Sequence, residues 1–183
     1  MKNIEIRMLE NKNLYEIVGY ALKFENESKD MGFYEIIDKN ALNNTDMSEC
    51  ILTINHSEDK ILARNNKNLS LEVDEIGLKF KAEVSLDTSY AKDLYYNMKN
   101  GLLSECSFRF SCVNDDWDLE NEKHYLRRVL DIDKLYDISI VTTPAYSKTS
   151  ALILERALKN KQANNKLISN KKEIELLKIK YKY

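Results

Sequence analysis

Leu69-Ser-Leu-Glu-Val-Asp-Glu-Ile-Gly-Leu-Lys-Phe-Lys-Ala-Glu-Val84 is the stretch that decides the fold class. Apolar residues fall at every second position on both sides of Asp74-Glu75-Ile76-Gly77, the period of a half-buried strand. A polar link ending in glycine between two such runs is a hairpin signal, so the segment predicts two antiparallel strands. The same period extends upstream. Ile51-Leu-Thr-Ile-Asn-His56 reads as a β-branched strand that ends at His56, followed by a polar run, Ser57-Glu-Asp-Lys60. Residues 33–43 read as a short strand entering a helical turn. Ile4, Ile6 and Met8, then Tyr15, Ile17, Gly19 and Ala21, alternate around a turn at Asn11-Lys12-Asn13. Downstream the period changes to that of a helix. Between Ser89 and Asn100, Ala91, Leu94, Tyr95 and Met98 share one face, Asp87 to Ser89 offer caps, and Gly101 follows the end. Strand signals resume at Ser107–Val113, Tyr125–Leu130 and Leu135–Val141, the last closed by Pro144. Many short strands around one or two helices predict a mostly β, α+β chain built as a barrel or sandwich.

Composition bounds what such a chain does. Its 183 residues suit one main domain, with 43% hydrophobic and 32% charged residues. Beyond Ala151 the character shifts to Lys-rich helical sequence, Leu152–Leu158 and Lys171–Tyr183, interrupted by Gln162-Ala-Asn-Asn165. The chain therefore divides into a domain over 1–151 and a charged helical or partly disordered tail over 152–183. Lys and Arg (28) nearly match Asp and Glu (30), so a net charge of −2 gives no field to capture nucleic acid or an anionic membrane. The longest apolar runs, such as Ile138–Val141, are too short to span a bilayer. The first residues carry no signal-peptide core, and the protein is expected to stay in the compartment where it is made. Cys50, Cys106 and Cys112 are odd in number and lack metal-type spacing, which predicts reduced thiols. Two histidines and four scattered glycines argue against a metal site or a phosphate loop, so the expected chemistry uses side chains and no cofactor.

Acyl transfer by side chains alone needs a nucleophile, a base and a group that orients the base. Only His56 and His124 are available as the base. His56 sits at a strand-to-loop edge from which a side chain reaches a cleft. From Ser107 to Val113, Phe108, Phe110 and Cys112 share one strand face, expected to point to the core. Ser107, Arg109 and Ser111 share the other. Cys106 faces away from Ser107, as a packing residue would.

Five segments, in order, carry a resemblance. They are Gly19-Tyr-Ala-Leu-Lys-Phe24 with Gly32-Phe-Tyr-Glu-Ile-Ile37; Leu52-Thr-Ile-Asn-His56 with Ile61-Leu-Ala-Arg64; the hairpin from Leu69; Gly101-Leu-Leu-Ser-Glu-Cys-Ser-Phe-Arg-Phe110; and Leu135-Tyr-Asp-Ile-Ser-Ile-Val-Thr-Thr-Pro-Ala-Tyr146. Together they resemble the prohead (capsid-maturation) serine proteases of tailed bacteriophages. The resemblance implies His56 as base and Ser107 as nucleophile. It implies Asp137 as the third member, where the family commonly has Glu, with His124 as the alternative. Arg109 stands where the family often has Gly, and is expected to narrow the cleft or bring a cation to it. Arg127 and Arg128 resemble the paired arginines associated with the oxyanion hole in herpesvirus proteases. The implied fold is a closed or partly open β-barrel of the herpesvirus assemblin type. The implied function is a serine endopeptidase that cuts the scaffolding segment of the major capsid protein, and itself, inside the assembling procapsid in the host cytoplasm. Its implied partners are that capsid protein and a second copy of itself, as a homodimer. The competing readings are a non-enzymatic internal scaffold with the same fold, and a cysteine hydrolase using Cys106 with His56.

Overall fold

The computed structural model describes residues 4–9, 13–142, 157–164, 166–168 and 170–171. Its strands are β1 (Ile4–Met8), β2 (Leu14–Lys23), β3 (Tyr34–Ile37), β4 (Ile51–Ile54), β5 (Ser57–Arg64), β6 (Leu69–Val73), β7 (Gly77–Ser85), β8 (Glu105–Asp118) and β9 (Leu126–Val141). Helix α1 (Ser89–Lys99) joins β7 to β8. The chain is mostly β, in the α+β class.

The hairpin that the alternation predicts is β6–β7. Its link is tied by Asp74, whose N–H donates to the Gly77 carbonyl at 3.0 Å. The Asp74 Oδ1 accepts the N–H groups of Ile76 (2.8 Å) and Gly77 (3.0 Å). Gly77 is required for space. A Cβ there would lie 2.2 Å from the Leu22 carbonyl, where β2 changes register between Tyr20 and Leu22. Leu78, Phe80, Ala82 and Val84 of β7 are buried, and the residues between them face outward. β7 pairs with β2, and β2 with β1, which completes an antiparallel sheet in the order β1-β2-β7-β6.

β9 organises the second sheet. β8 runs antiparallel along its whole length. β3 lies parallel to its first part (Tyr34 opposite Leu126) and β4 parallel to its last (Ile51 opposite Asp137). β5 folds back antiparallel on β4. The core lies on the faces that carry Tyr15 and Ile17 of β2, Phe80 of β7, Leu52 of β4, and Ile132, Leu135, Ile138 and Ile140 of β9. Helix α1 covers it with Ala91, Leu94 and Met98. Buried Tyr15 holds the helix by donating its hydroxyl to the Ala91 carbonyl at 3.0 Å. The helix ends as the sequence predicts, with Gly101 in the left-handed region at φ +74°.

Four expectations are corrected. The strands do not close into a barrel. β2 approaches β8 and β5 approaches β7, yet β2 and β7 already have partners on both edges, so the result is two open sheets. Ser57–Lys60, read as a polar run after a strand, is the first half of β5. The strand at Ser107 begins at Glu105 and runs to Asp118. In the tail, helix 157–164 continues through Gln162–Asn164 and is tied down by Lys161, which donates to the Leu119 carbonyl (2.9 Å) and Glu120 Oε1 (2.7 Å). The turn residues Asn11 and Lys12, Pro144, the domain boundary at 151, and tail residues 152–156 and 172–183 lie outside the described residues. Among the described residues, no helix is long and apolar enough to cross a membrane.

Candidate active site

The site begins with the link between β4 and β5. Ile54 pairs with Ser57, so Asn55 and His56 alone make the turn, with φ of +50° and +56°. Positive φ at both central residues is the type I′ turn, in which the second position favours glycine. A histidine there is strained by roughly 1–2 kcal/mol. Bonds to the end of β9 hold it. The Asn55 N–H donates to the Ile140 carbonyl (3.0 Å), the His56 N–H to Ser139 Oγ (2.8 Å), and the Thr142 N–H to Asn55 Oδ1 (3.2 Å). Thr53 adds its hydroxyl to Ser139 Oγ at 3.1 Å.

Strand register supplies the remaining groups. Ser107 lies opposite Ser139 and Arg109 opposite Asp137, while Thr53 and Ile51 of β4 flank the same two β9 residues. By strand alternation these six share one face, and Leu52, Phe108, Ile138 and Ile140 point the other way, to the core. The His56 ring bridges the shared face. Its Nε2 is 2.9 Å from Ser107 Oγ and its Nδ1 is 2.6 Å from Asp137 Oδ1. An ionised carboxylate only accepts, so Nδ1 carries the proton and Nε2 is left to accept the Ser107 hydroxyl. Asp137 is fully buried, while the His56 side chain remains 23% exposed. Such a relay can take a proton from an attacking hydroxyl and stabilise the imidazolium that results.

Arg109 does not project freely into a cleft. Its Nε lies 2.9 Å from Asp137 Oδ2, and its Nη2 donates to Glu58 Oε1 of β5 at 3.0 Å. The Nε–H is not aimed along a hydrogen-bond direction, so this is an ion pair and Oδ2 keeps no directional partner.

The other candidate residues lie elsewhere. His124 stacks on Tyr34 at 4.2 Å and meets Glu27 Oε2 at 3.1 Å, so it does not reach His56 as a third member. Arg127 and Arg128 pair with Trp117 and Asp116 of β8, ten and nine residues from Ser107, or roughly 30 Å along an extended strand. Both are spent in ion pairs there. Arg127 holds Asp115 (2.6 Å) and Glu35 (2.8 Å), and Arg128 holds Glu25 (2.9 Å). Neither can serve an oxyanion at Ser107 in the same chain. Cys106 packs against the core and burial pushes its thiol up to about 12, which leaves little thiolate at neutral pH and removes the support for a cysteine hydrolase. Sequence reasoning missed Ser139, Thr53, Asn55 and Glu58. Of these only Ser139 left a signal, two residues after Asp137 and therefore on its face.

No curated protein and no solved structure matches this chain. Residues 2–164 do match the family model of the caudovirus prohead serine protease, a span that includes Ser107, His56 and Asp137. With most of its length inside that match, the chain belongs to the caudovirus prohead serine protease family, the serine peptidases of capsid maturation in tailed phages.

Proposed function

We propose that this protein is a serine endopeptidase that cuts the scaffolding segment of the major capsid protein, and its own tail, within the assembling procapsid. The observation that carries the reading is the continuous contact from Ser107 through His56 to buried Asp137, at 2.9 and 2.6 Å. Ser107 Oγ attacks the scissile carbonyl carbon as its proton passes to His56 Nε2. Asp137 stabilises the imidazolium through the Nδ1–H. The tetrahedral intermediate collapses, the C–N bond breaks, and the His56 Nε2–H protonates the departing amine. Water then attacks the acyl-enzyme, giving its proton to His56, and the ester bond to Ser107 breaks. The new C-terminal acid leaves and the serine regains its proton. The Lys- and Asn-rich tail beyond Ala151 is the candidate for self-cleavage, and confinement of activity to the shell suits an enzyme that works as a homodimer at high local concentration.

Intact-mass spectrometry tests this reading. Wild type and Ser107→Ala are incubated at high concentration, alone and with a capsid-protein scaffold segment. Fragments from the wild type that are absent from the variant are the expected result. Intact chains on both sides would favour the non-enzymatic scaffold instead. Specific activity that does not change with protein concentration would remove the dimer.

A further inference from the structure

The two oxygens of Asp137 are held unequally. Oδ1 takes the His56 Nδ1–H at 2.6 Å. Oδ2 is buried out of reach of water, without a directional hydrogen bond, and Arg109 Nε lies against it at 2.9 Å. A buried carboxylate that lacks a counter-charge is strongly disfavoured. Arg109 sits directly across the β8–β9 ladder from Asp137, two residues from Ser107 on the same face. Its far arm donates to Glu58 on β5, and its guanidinium lies 6.0 Å over the Tyr136 ring. A planar cation pinned from two strands holds one orientation.

We propose that Arg109 is a positioning residue for the reaction: its charge offsets that of the buried Asp137 carboxylate and holds it turned toward His56, with Glu58 fixing the guanidinium. The proposal rests on the Ser107–His56–Asp137 reading. Two electrostatic effects oppose each other. The cation steadies the carboxylate, and it also repels the imidazolium that forms on His56. Coulomb energy falls with distance, and the attraction acts directly across 2.9 Å, whereas the repulsion acts past the intervening carboxylate. The nearer contact dominates, so loss of the charge slows the reaction.

The test needs no known substrate. A fluorophosphonate reacts with a serine that an adjacent base activates, and intact mass follows its second-order rate on the full chain. Arg109→Gln is expected to slow labelling about tenfold, while Arg109→Lys, which retains the charge, stays within about threefold of wild type. Asp137→Asn is expected to slow it by about three to four orders of magnitude. In that background Arg109→Gln should add nothing, because no charge remains to be held. Labelling of Arg109→Gln at the wild-type rate, or losses that multiply in the double variant, would overturn the proposal. A wild type that takes no label overturns the parent reading together with it; a labelled wild type matched by Arg109→Gln overturns this proposal alone. Circular dichroism checks that each variant folds. If Arg109→Gln does not, Glu58→Gln loosens the same guanidinium from an exposed position. It is then expected to slow labelling about two- to threefold, and an unchanged rate overturns the proposal.

Discussion

Replacing Ser139 by alanine isolates what holds His56 still. Ser139 Oγ accepts the His56 N–H at 2.8 Å and the Thr53 hydroxyl at 3.1 Å, and Ser139 and Thr53 are both 0% exposed. In Ser139→Ala the Thr53 hydroxyl can rotate toward another acceptor. The His56 amide cannot move without moving the turn. One stranded donor costs about 1–3 kcal/mol, and the strain stored at His56 has lost one of its restraints. A destabilisation of about 2 kcal/mol lowers Tm by about 4–8 °C for a chain of this length, read by calorimetry. The larger effect is expected on reactivity. Displacing a catalytic group by about 1 Å costs on the order of 100-fold, so fluorophosphonate labelling of Ser107 should fall by about 10- to 100-fold. Thr53→Ala removes one donor and leaves the His56 bond in place, and should slow labelling by less than about threefold. A Ser139→Ala protein that melts early but labels at the wild-type rate would refute the reasoning, because the bond would then be structural only. Equal effects from the two variants would refute it as well.

Gly77→Ala forces a Cβ to within 2.2 Å of the Leu22 carbonyl, and backbone atoms give way poorly. It should destabilise the chain by about 3 kcal/mol in urea unfolding; a midpoint equal to wild type would show that β2 yields there. Burial holds the Cys106 thiol up near 12, so thiol reagents at neutral pH should leave fluorophosphonate labelling intact, and inhibition by them would reopen the cysteine reading. Burial also raises the Glu35 carboxyl above its usual range, against the pull of Arg127. The folded chain then binds protons more tightly than the unfolded one. Stability from this group therefore falls as pH rises from about 4.5 through the raised value, by at most about 1.4 kcal/mol per pH unit. Glu35→Gln should remove that slope, and unfolding curves that shift in parallel with pH for both proteins would contradict it.

The sequence displayed the elements whose period is uninterrupted. β7 alternates from Leu78 to Val84 without a break, and α1 carries Ala91, Leu94 and Met98 on one stripe, so both were legible from residue spacing alone. Pairing across the second sheet was not. Alternation gives a strand its faces but not its neighbours, and β4 and β9, which bring His56 to Asp137, are parallel strands more than eighty residues apart. β5 was hidden because its first residues are exposed and so carry no apolar alternation. The ladder between β8 and β9 shifts register at Arg109/Phe110 and at three later points, which no periodicity predicts. His56 and Ser107 stand where strands end and begin, but it was the segments resembling the family that singled them out, and Asp137 was reached through that resemblance alone. Arg127 and Arg128 were drawn toward the site only by standing side by side, and the buried carboxylate of Glu35 is what that part of β9 serves. Closure of a barrel could not be judged from strand number, since it depends on whether β2 and β7 have free edges.

The central claim is that Ser107 is a nucleophile activated by His56. Full-length protein treated with a fluorophosphonate and read by intact mass and peptide mapping tests it most directly. One adduct per chain, located on Ser107 and lost in His56→Ala, is the expected result. An adduct on another residue, or labelling of Ser107 that persists unchanged in His56→Ala, would contradict it.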